Sequence, residues 1–310
     1  MKTISIVIPT YNEQENVKPL CGEIITIITT KLPEYDYEII FIDNHSEDQT
    51  REKLEELCKH NPRIKAIFNT RNFGQLRSPV YCIKQATGDC VIKLSADFQD
   101  PPEMIVDFIR EWENGWKIVI GVKDSSEENR IQYFYRTSYY RFMEKFSEIN
   151  HIRHFTGFGL YDRKFVDILR NLDDPLPYLR GIVAEIGYDY KAIPYKQPKR
   201  RMGKSKNHFL SLYDYGMIGI TSYSKVVLRL ATLLGFFVAI LSMLLGVVYL
   251  TLKLLFWTRF PAGTAPLLIG FFFFSSVQLF FIGILGEYIL TINTRVMNRP
   301  LVIEERRINF

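Results

Sequence analysis

Asp97 stands in the run Ser95-Ala96-Asp97-Phe98-Gln99-Asp100-Pro101-Pro102, just past the apolar stretch Val91–Leu94. A carboxylate followed two residues later by an amide offers oxygen ligands to a hard cation. Mg²⁺ commonly takes one or two protein carboxylates and completes its shell with water and substrate phosphates. A cation held there would act as a Lewis acid on a diphosphate leaving group. Asp100 has a plainer alternative, capping a helix that begins at Pro101 or Pro102. A second chemical segment is Lys196–Lys206, with six Lys or Arg in eleven residues, shortly before an apolar region. It reads either as a solvated basic loop or as a contact for phosphate groups, and its place before a membrane segment favours the second. Arg200 and Arg201 suit bidentate recognition of phosphate.

These residues need a scaffold, and the first two hundred positions supply one. β-rich runs recur at Ser5–Ile8, Glu38–Ile42, Ile64–Phe68, Val91–Leu94 and Ile118–Gly121, with helical patterns at Glu13–Thr30, Gln49–His60, Gly74–Ala86 and Pro102–Asn114. This alternation predicts an α/β fold with a mainly parallel sheet covered by helices on both faces. Ligands of such sheets gather at the carboxyl ends of the strands. The residues there are polar: Pro9-Thr10-Tyr11-Asn12-Glu13, Asp43-Asn44-His45-Ser46, Asn69-Thr70-Arg71-Asn72-Phe73-Gly74, and the run around Asp97. No GxGxxG follows a strand and no GxxxxGK[ST] occurs, which argues against dinucleotide oxidoreductases and P-loop enzymes. Further on, Asn129–Ile149 reads as an aromatic-rich helix, and Phe155–Tyr161 and Tyr188–Ile193 as strands.

The 310-residue chain carries 39 Lys+Arg against 34 Asp+Glu, a net charge of +5, but charge is unevenly spread. Between Val226 and Thr294 only Arg229, Lys253, Arg259 and Glu287 are charged. Two uncharged runs, Leu230–Leu252 and Phe260–Gly286, each exceed the ~20 residues that a helix needs to cross a bilayer. A short linker makes them a hairpin. Lys225, Arg229, Arg295, Arg299, Arg306 and Arg307 flank it and favour cytoplasmic termini, although Lys253 and Arg259 in the linker weaken the bias. Glu287 is expected to pair with Arg229 or an interfacial Lys. His208–Ser224 has helical apolar spacing and reads as an interfacial helix. The expected organisation is a cytosolic catalytic domain (1–206), interfacial helices (207–227), a membrane region (228–294, spans about 230–252 and 264–286) and a cytosolic tail (295–310). Cys21, Cys58, Cys82 and Cys90 show no metal-binding spacing and read as reduced structural thiols.

With these motifs in order along nearly the whole chain, the sequence resembles the family 2 glycosyltransferases of GT-A fold. Within them it is similar to the membrane-anchored polyprenyl-phosphate glycosyltransferases, which include dolichyl-phosphate mannose synthases and bactoprenol glucosyltransferases. The resemblance runs through Ile6–Glu13, Arg71-Asn72-Phe73-Gly74, Asp97–Glu103, Leu160–Arg163, Arg200–Lys206, Ile220–Ser224 and Gly286-Glu287-Tyr288. It implies that Pro9, Tyr11 and Glu13 line a base and ribose pocket, that Asp43 contacts the base, and that Arg71, Asn72 and Gly74 belong to the substrate site. By the same resemblance Asp97 and Gln99 bind Mg²⁺ or Mn²⁺, and Arg200, Arg201, Ser205 and Lys206 hold phosphates of donor or acceptor. Its implied partners are a nucleotide sugar (UDP-linked in the leading reading), a polyprenyl phosphate such as undecaprenyl phosphate, and the plasma membrane. The resemblance also implies a homo-oligomer, as a tetramer; no nucleic acid is expected.

Four positions, in three motifs, depart from the family pattern. Asn44 and His45 replace the second and third residues of Asp-Asp-Gly-Ser, Ser95 stands at the first position of Asp-x-Asp, and Gly157 stands where many relatives carry an acid. A base role cannot pass to Gly157, and Asp162 is the nearest remaining carboxylate. A phosphate monoester has a second pKa near ~6, so the acceptor is mostly dianionic at neutral pH and needs no base to attack an anomeric carbon. Catalysis would rest on alignment and on stabilising the departing nucleoside diphosphate. Two alternatives remain: a catalytically silent scaffold of the same fold, and a transferase with a glycan acceptor.

Overall fold

The computed structural model describes residues 1–125, 147, 152, 154–198, 200, 209–224, 226–256 and 264–310. The helix expected at Asn129–Ile149, the inter-span linker and the calls on Arg201, Ser205 and Lys206 fall on residues outside that set.

One eight-stranded sheet organises the described chain. Its strands are β1 (Thr3–Thr10), β2 (Asp36–Asp43), β3 (Ile64–Asn69), β4 (Cys90–Lys93), β5 (Ile118–Ser125), β6 (Phe155–Asp162), β7 (Tyr190–Lys196) and β8 (Glu304–Ile308), in the spatial order β7-β5-β6-β4-β1-β2-β3-β8. The block β4-β1-β2-β3 is parallel. β6 runs antiparallel to both β4 and β5, and β7 is parallel to β5. Two reversals cancel, so β5 and β7 point the same way as β1–β4 and their carboxyl ends share one edge. This is the expected GT-A-like α/β fold.

Residue alternation divides the core in two. β1 sends Ile4, Ile6 and Ile8 to one face, where they pack with α1 (Val17–Lys31), α2 (Thr50–His60) and α4 (Met104–Glu113). Val7, Ile40 and Ile42 join the opposite face with α3 (Gly74–Gln85), α5 (Arg163–Asn171) and α6 (Leu179–Ile186). Inner strands buried on both faces need continuous apolar runs, and β2 supplies Ile39-Ile40-Phe41-Ile42, all fully buried. The four cysteines lie within these layers as free, buried thiols. Burial pushes the Cys58 thiol up to about 11 and that of Cys21 to about 12.

Some boundaries differ from expectation. α1 begins at Val17, not Glu13, and the segment before it is tied to the loop after β2 and to α2: the N–H groups of Asn12, Glu13 and Gln14 bond to Ser46 Oγ, Thr50 Oγ1 and Asp48 Oδ2. α4 begins at Met104, and its first turn has no side-chain cap, so Asp100 does not cap it. Of the segment 295–310, expected as a cytosolic tail, residues 295–297 finish the last helix and Glu304–Ile308 return to the sheet as β8, antiparallel to β3.

Three helices follow the basic segment: α7 (Phe209–Tyr223), α8 (Val226–Leu255) and α9 (Thr264–Met297). α8 and α9 run past the expected span ends of Leu252 and Gly286. Within them Val226–Val248 and Phe273–Met297 are long and apolar enough to cross a membrane. Their large side chains face outward: Leu233 is 67% exposed, Phe236 69% and Leu279 68%. Core helices of a water-soluble globule would bury these groups. Glu287 accepts a hydrogen bond from Tyr213 Oη (3.1 Å) on α7, correcting the expected pairing with Arg229 or a Lys.

Candidate functional site

Four loops leave the carboxyl ends of β1–β4, and each contains a residue with a left-handed backbone: Asn12 (φ 54°), His45 (φ 63°), Gly74 (φ 86°) and Phe98 (φ 62°). Non-glycine residues in that region cost energy and persist only where their surroundings hold them, often at functional sites. The loops are indeed tied down. Asn12 gives its N–H to Ser46 Oγ (2.8 Å) and accepts the Glu47 N–H on Oδ1 (2.8 Å), clasping the β1 loop to the β2 loop. Pro9 and Tyr11, half-buried, lie in the clasped β1 segment.

Asp43, at the end of β2, is fully buried. Its carboxylate accepts the Ser46 N–H (3.0 Å) and the Ser46 hydroxyl, and Arg51 Nε on α2 stands 3.4 Å away. Burial raises the Asp43 pKa, outweighing the Ser46 hydrogen bonds and the Arg51 charge that act in the other direction. Asn44 explains its departure from the family's acid. Its Oδ1 accepts from Asn69 Nδ2 (3.0 Å), the Ser78 hydroxyl and the Phe73 N–H (3.4 Å), binding the ends of β2 and β3 to α3. An amide oxygen suffices for that task. His45 occupies a left-handed turn position, for which glycine is best suited, with an exposed side chain.

After β3, Asn72 Oδ1 accepts the Gly74 N–H (2.8 Å) at the start of α3, and the Arg71 guanidinium lies 4.1 Å from the Phe73 ring centroid. Both Arg71 and Asn72 are exposed at this edge.

The β4 loop holds Asp97, 6% exposed. Arg200, carried to the same edge by β7, donates from Nε (3.1 Å) and Nη2 (2.8 Å) to Asp97 Oδ2. Arg200 Nη2 also lies 3.6 Å from Glu13 Oε1, while Glu13 Oε2 accepts from Asn16 Nδ2 (2.6 Å). One guanidinium thus joins carboxylates from the β1 and β4 loops, residues 187 and 103 positions away from it in sequence that become its neighbours only through the strand order. Gln99 gives its N–H to Asp97 Oδ1 (3.2 Å), which leaves its side-chain amide for other work.

Asp100 is engaged elsewhere. Its Oδ2 accepts the Ser95 N–H (3.0 Å) and hydroxyl (2.7 Å), and its Oδ1 accepts from Tyr195 Oη (3.2 Å). Ser95 is therefore a donor to a buried acid, where an aspartate would set two carboxylates against each other. Among the described residues no cluster of three or more His, Cys, Asp or Glu is placed to hold a metal. The expected ligands Asp97 and Gln99 would offer one carboxylate and one amide. That fits a hard cation drawing most of its ligands from substrate phosphates and water.

Asp162 is not brought to this group. It pairs in register with Cys90, the first residue of β4, at the opposite end of the strand from the Asp97 loop. There it caps α5 by accepting the Lys164 N–H (3.0 Å) and takes the Trp112 indole N–H (2.7 Å). Its expected part as a stand-in base is corrected by that placement. Gly157 has φ 90°, a conformation that an acidic side chain would adopt only with strain. Arg51 and Tyr195 were missed in the sequence. Arg51 had one signal, its place in the first turn after a strand-ending acid.

Comparison with known proteins places the chain in a family. The family model described as "Glycosyl transferase family 2" matches residues 5–169. The chain is 32% identical to the bactoprenol glucosyl transferase of Shigella phage SfII, covering 97% of this chain and 96% of that one. It is 33% identical to the Bacillus subtilis (strain 168) protein described as "Putative glycosyltransferase CsbB", over 96% of this chain and 89% of the relative. A solved mannosyl-3-phosphoglycerate synthase from Rubrobacter xylanophilus aligns at a TM-score of 0.47 and 15% identity, covering 76% of this chain and 75% of that one. With the strand-end loops, the family match and these full-length relatives together, the chain belongs to glycosyl transferase family 2 and is a glycosyltransferase.

Proposed function

We propose that this enzyme transfers a hexose from a nucleotide sugar, UDP-linked in the reading favoured here, to a polyprenyl phosphate such as undecaprenyl phosphate. The observation that carries the reading is the Asp97–Arg200–Glu13 cluster at the strand ends of a chain that also bears two outward-apolar helices. A nucleotide-sugar pocket alone would need no such helices. A lipid acceptor whose phosphate cannot leave the interface gives them a purpose. The bactoprenol glucosyl transferase relatives support the same acceptor class.

Pro9, Tyr11, Glu13 and Asp43 would hold the nucleoside, with Arg71, Asn72 and Gly74 bordering the pocket. Asp97 and Gln99 would hold Mg²⁺ or Mn²⁺. Bound there, the cation supplies charge neutralisation for the diphosphate. Arg200 would bind donor or acceptor phosphate; Arg201, Ser205 and Lys206 are assigned to the same role by resemblance. The acceptor's phosphate oxygen forms a bond to the anomeric carbon as the carbon–oxygen bond to the nucleoside diphosphate breaks, with inversion. The dianionic nucleophile has no proton to lose. The chain's task is to align the two phosphates and stabilise the departing one.

The organisation proposed is a cytosolic catalytic domain, an interfacial region and a two-helix membrane hairpin, in a homo-oligomer at the cytoplasmic face of the plasma membrane with both termini cytosolic. The test is transfer from a mixed pool of radiolabelled UDP- and GDP-sugars, using membranes with and without added polyprenyl phosphate and EDTA. The expected product is a polyprenyl-phosphate sugar, identified by mass spectrometry and lost with EDTA. Label that enters glycan but no lipid would overturn the acceptor assignment. No label transferred at all would favour the silent scaffold.

A further inference from the structure

The strand β8 reaches the nucleoside side of the site from the far end of the chain. Simple alternation would send Glu304 and Arg306 to one face of the sheet and Glu305 and Arg307 to the other. The register departs from that. Phe68 faces Arg306 and Asn69 faces Glu304, so Glu305 is the extra residue of a bulge. The bulge turns two successive side chains toward α2. Arg306 pairs with Glu55, and Glu305 Oε2 lies 2.6 Å from Arg51 Nη2. Glu304, by contrast, points to α3 and accepts from Tyr81 Oη (2.8 Å).

Arg51 is the link inward. Its Nη2 serves Glu305, while its Nε faces Asp43 Oδ2 at 3.4 Å and is buried without a hydrogen-bond partner. Its guanidinium carbon lies 5.2 Å from the centroid of the buried Phe68 ring, which restricts where that charge can go. An exposed carboxylate on the tail and a fully buried carboxylate in the site therefore share one cation. The hydrogen bond from Arg51 also holds the Glu305 carboxyl below its ordinary range.

We propose that Glu305 is a positioning residue for the donor: through Arg51 it fixes the Asp43 carboxylate that meets the nucleobase, so the segment following the membrane helices sets donor affinity. This rests on the reading of the strand-end site as a nucleotide-sugar pocket. The chemistry recognised is a base N–H, which a fixed carboxylate accepts. Because Glu305 touches neither reacting bond nor phosphate, it governs binding of the donor and not the rate of the bound complex.

The experiment uses the full chain in detergent, with UDP and GDP as calorimetric probes and the transfer assay for donor KM and kcat. Glu305→Gln is expected to weaken nucleotide binding and raise donor KM by about 3- to 10-fold, with kcat within about twofold of the parent. Arg51→Gln should show the same split. The double variant should be no worse than Arg51→Gln alone, because both act through one contact. Glu304→Gln, altering the same strand on its other face, should leave donor KM unchanged. Parental KM in Glu305→Gln, an equal rise in Glu304→Gln, or additive losses in the double variant would each overturn the positioning role. Asp43→Asn separates the two levels. If it leaves nucleotide affinity unchanged, or if the parent binds neither probe, the nucleotide-pocket reading falls and the Glu305 role falls with it. If Asp43→Asn weakens binding and Glu305→Gln does not, only the latter is lost.

Discussion

Asp97 and Asp162 are both 6% exposed, both follow a strand, and both accept hydrogen bonds from a side-chain N–H. They belong to opposite ends of the sheet. Asp162 spends its oxygens on a helix N-terminus, an indole and Lys117 at 3.5 Å, all of them fixed parts of the scaffold. Asp97 is held by Arg200, a half-buried side chain at the end of a loop, and by the N–H of Gln99. One carboxylate is held by fixed parts of the scaffold; the other is held by a guanidinium that, in the proposed site, a phosphate would draw away. Burial and acidity alone do not separate such residues. What separates them is the direction of the strand they end, since β6 runs against β4, and the kind of partner that holds them.

The largest effect expected on that contrast is loss of transfer in Asp97→Ala and Arg200→Ala. Each should lower kcat/KM for lipid glycosylation by roughly 100-fold or more, the scale of removing one preorganised electrostatic contact from a transfer site. Asp162→Asn should retain transfer within a few-fold of the parent, since its site is structural. Asp162→Ala should instead cost about 2–3 kcal/mol in denaturant unfolding, combining a lost helix cap with an unpaired buried indole N–H. A collapse of turnover in well-folded Asp162→Asn would erase the distinction between the two acids.

A smaller and subtler effect concerns Asp43, whose burial raises its pKa. A raised folded-state pKa means that the folded protein binds the proton more tightly than the unfolded chain does. Its stabilising contribution is present at low pH and is lost as pH rises through the folded value. At neutral pH the buried charge is therefore a stability cost retained for binding. Asp43→Asn should raise the melting temperature at pH 7 while weakening nucleotide binding, and the thermal gain should shrink as the pH is lowered into the carboxylate range. A variant that is less stable at pH 7 than the parent would show that the Ser46 and Arg51 contacts outweigh burial.

Much of this was legible in the residues. The β-rich runs and helical spacings placed β1–β4 and the loops after them, because parallel strands buried on both faces leave an unbroken apolar signature, as in Ile39–Ile42. The Asp97 and Arg200 loops were each marked by composition, but their contact was not, since it depends on β6 running against both β4 and β5, so that β7 ends at the same edge of the sheet as β4. Asp162 was misjudged because sequence proximity to Gly157 says nothing of strand direction. β8 was invisible for a different reason. Glu304-Glu305-Arg306-Arg307 has neither apolar residues nor alternation, and it becomes a strand only through the open edge of β3 and the opposite charges on α2. Its bulge breaks the period-two rule that sequence reading relies on.

The central claim is that donor diphosphate and metal meet at Asp97 and Gln99, on the edge where β4 and β7 end. The most direct measurement is a structure of the full chain with UDP and Mn²⁺, recorded at the manganese absorption edge. The account predicts one anomalous peak within coordination distance of Asp97 and Gln99, with Arg200 moved from Asp97 onto phosphate. Manganese bound elsewhere, or nucleotide bound while Arg200 still holds Asp97 and no metal contacts it, would contradict that claim.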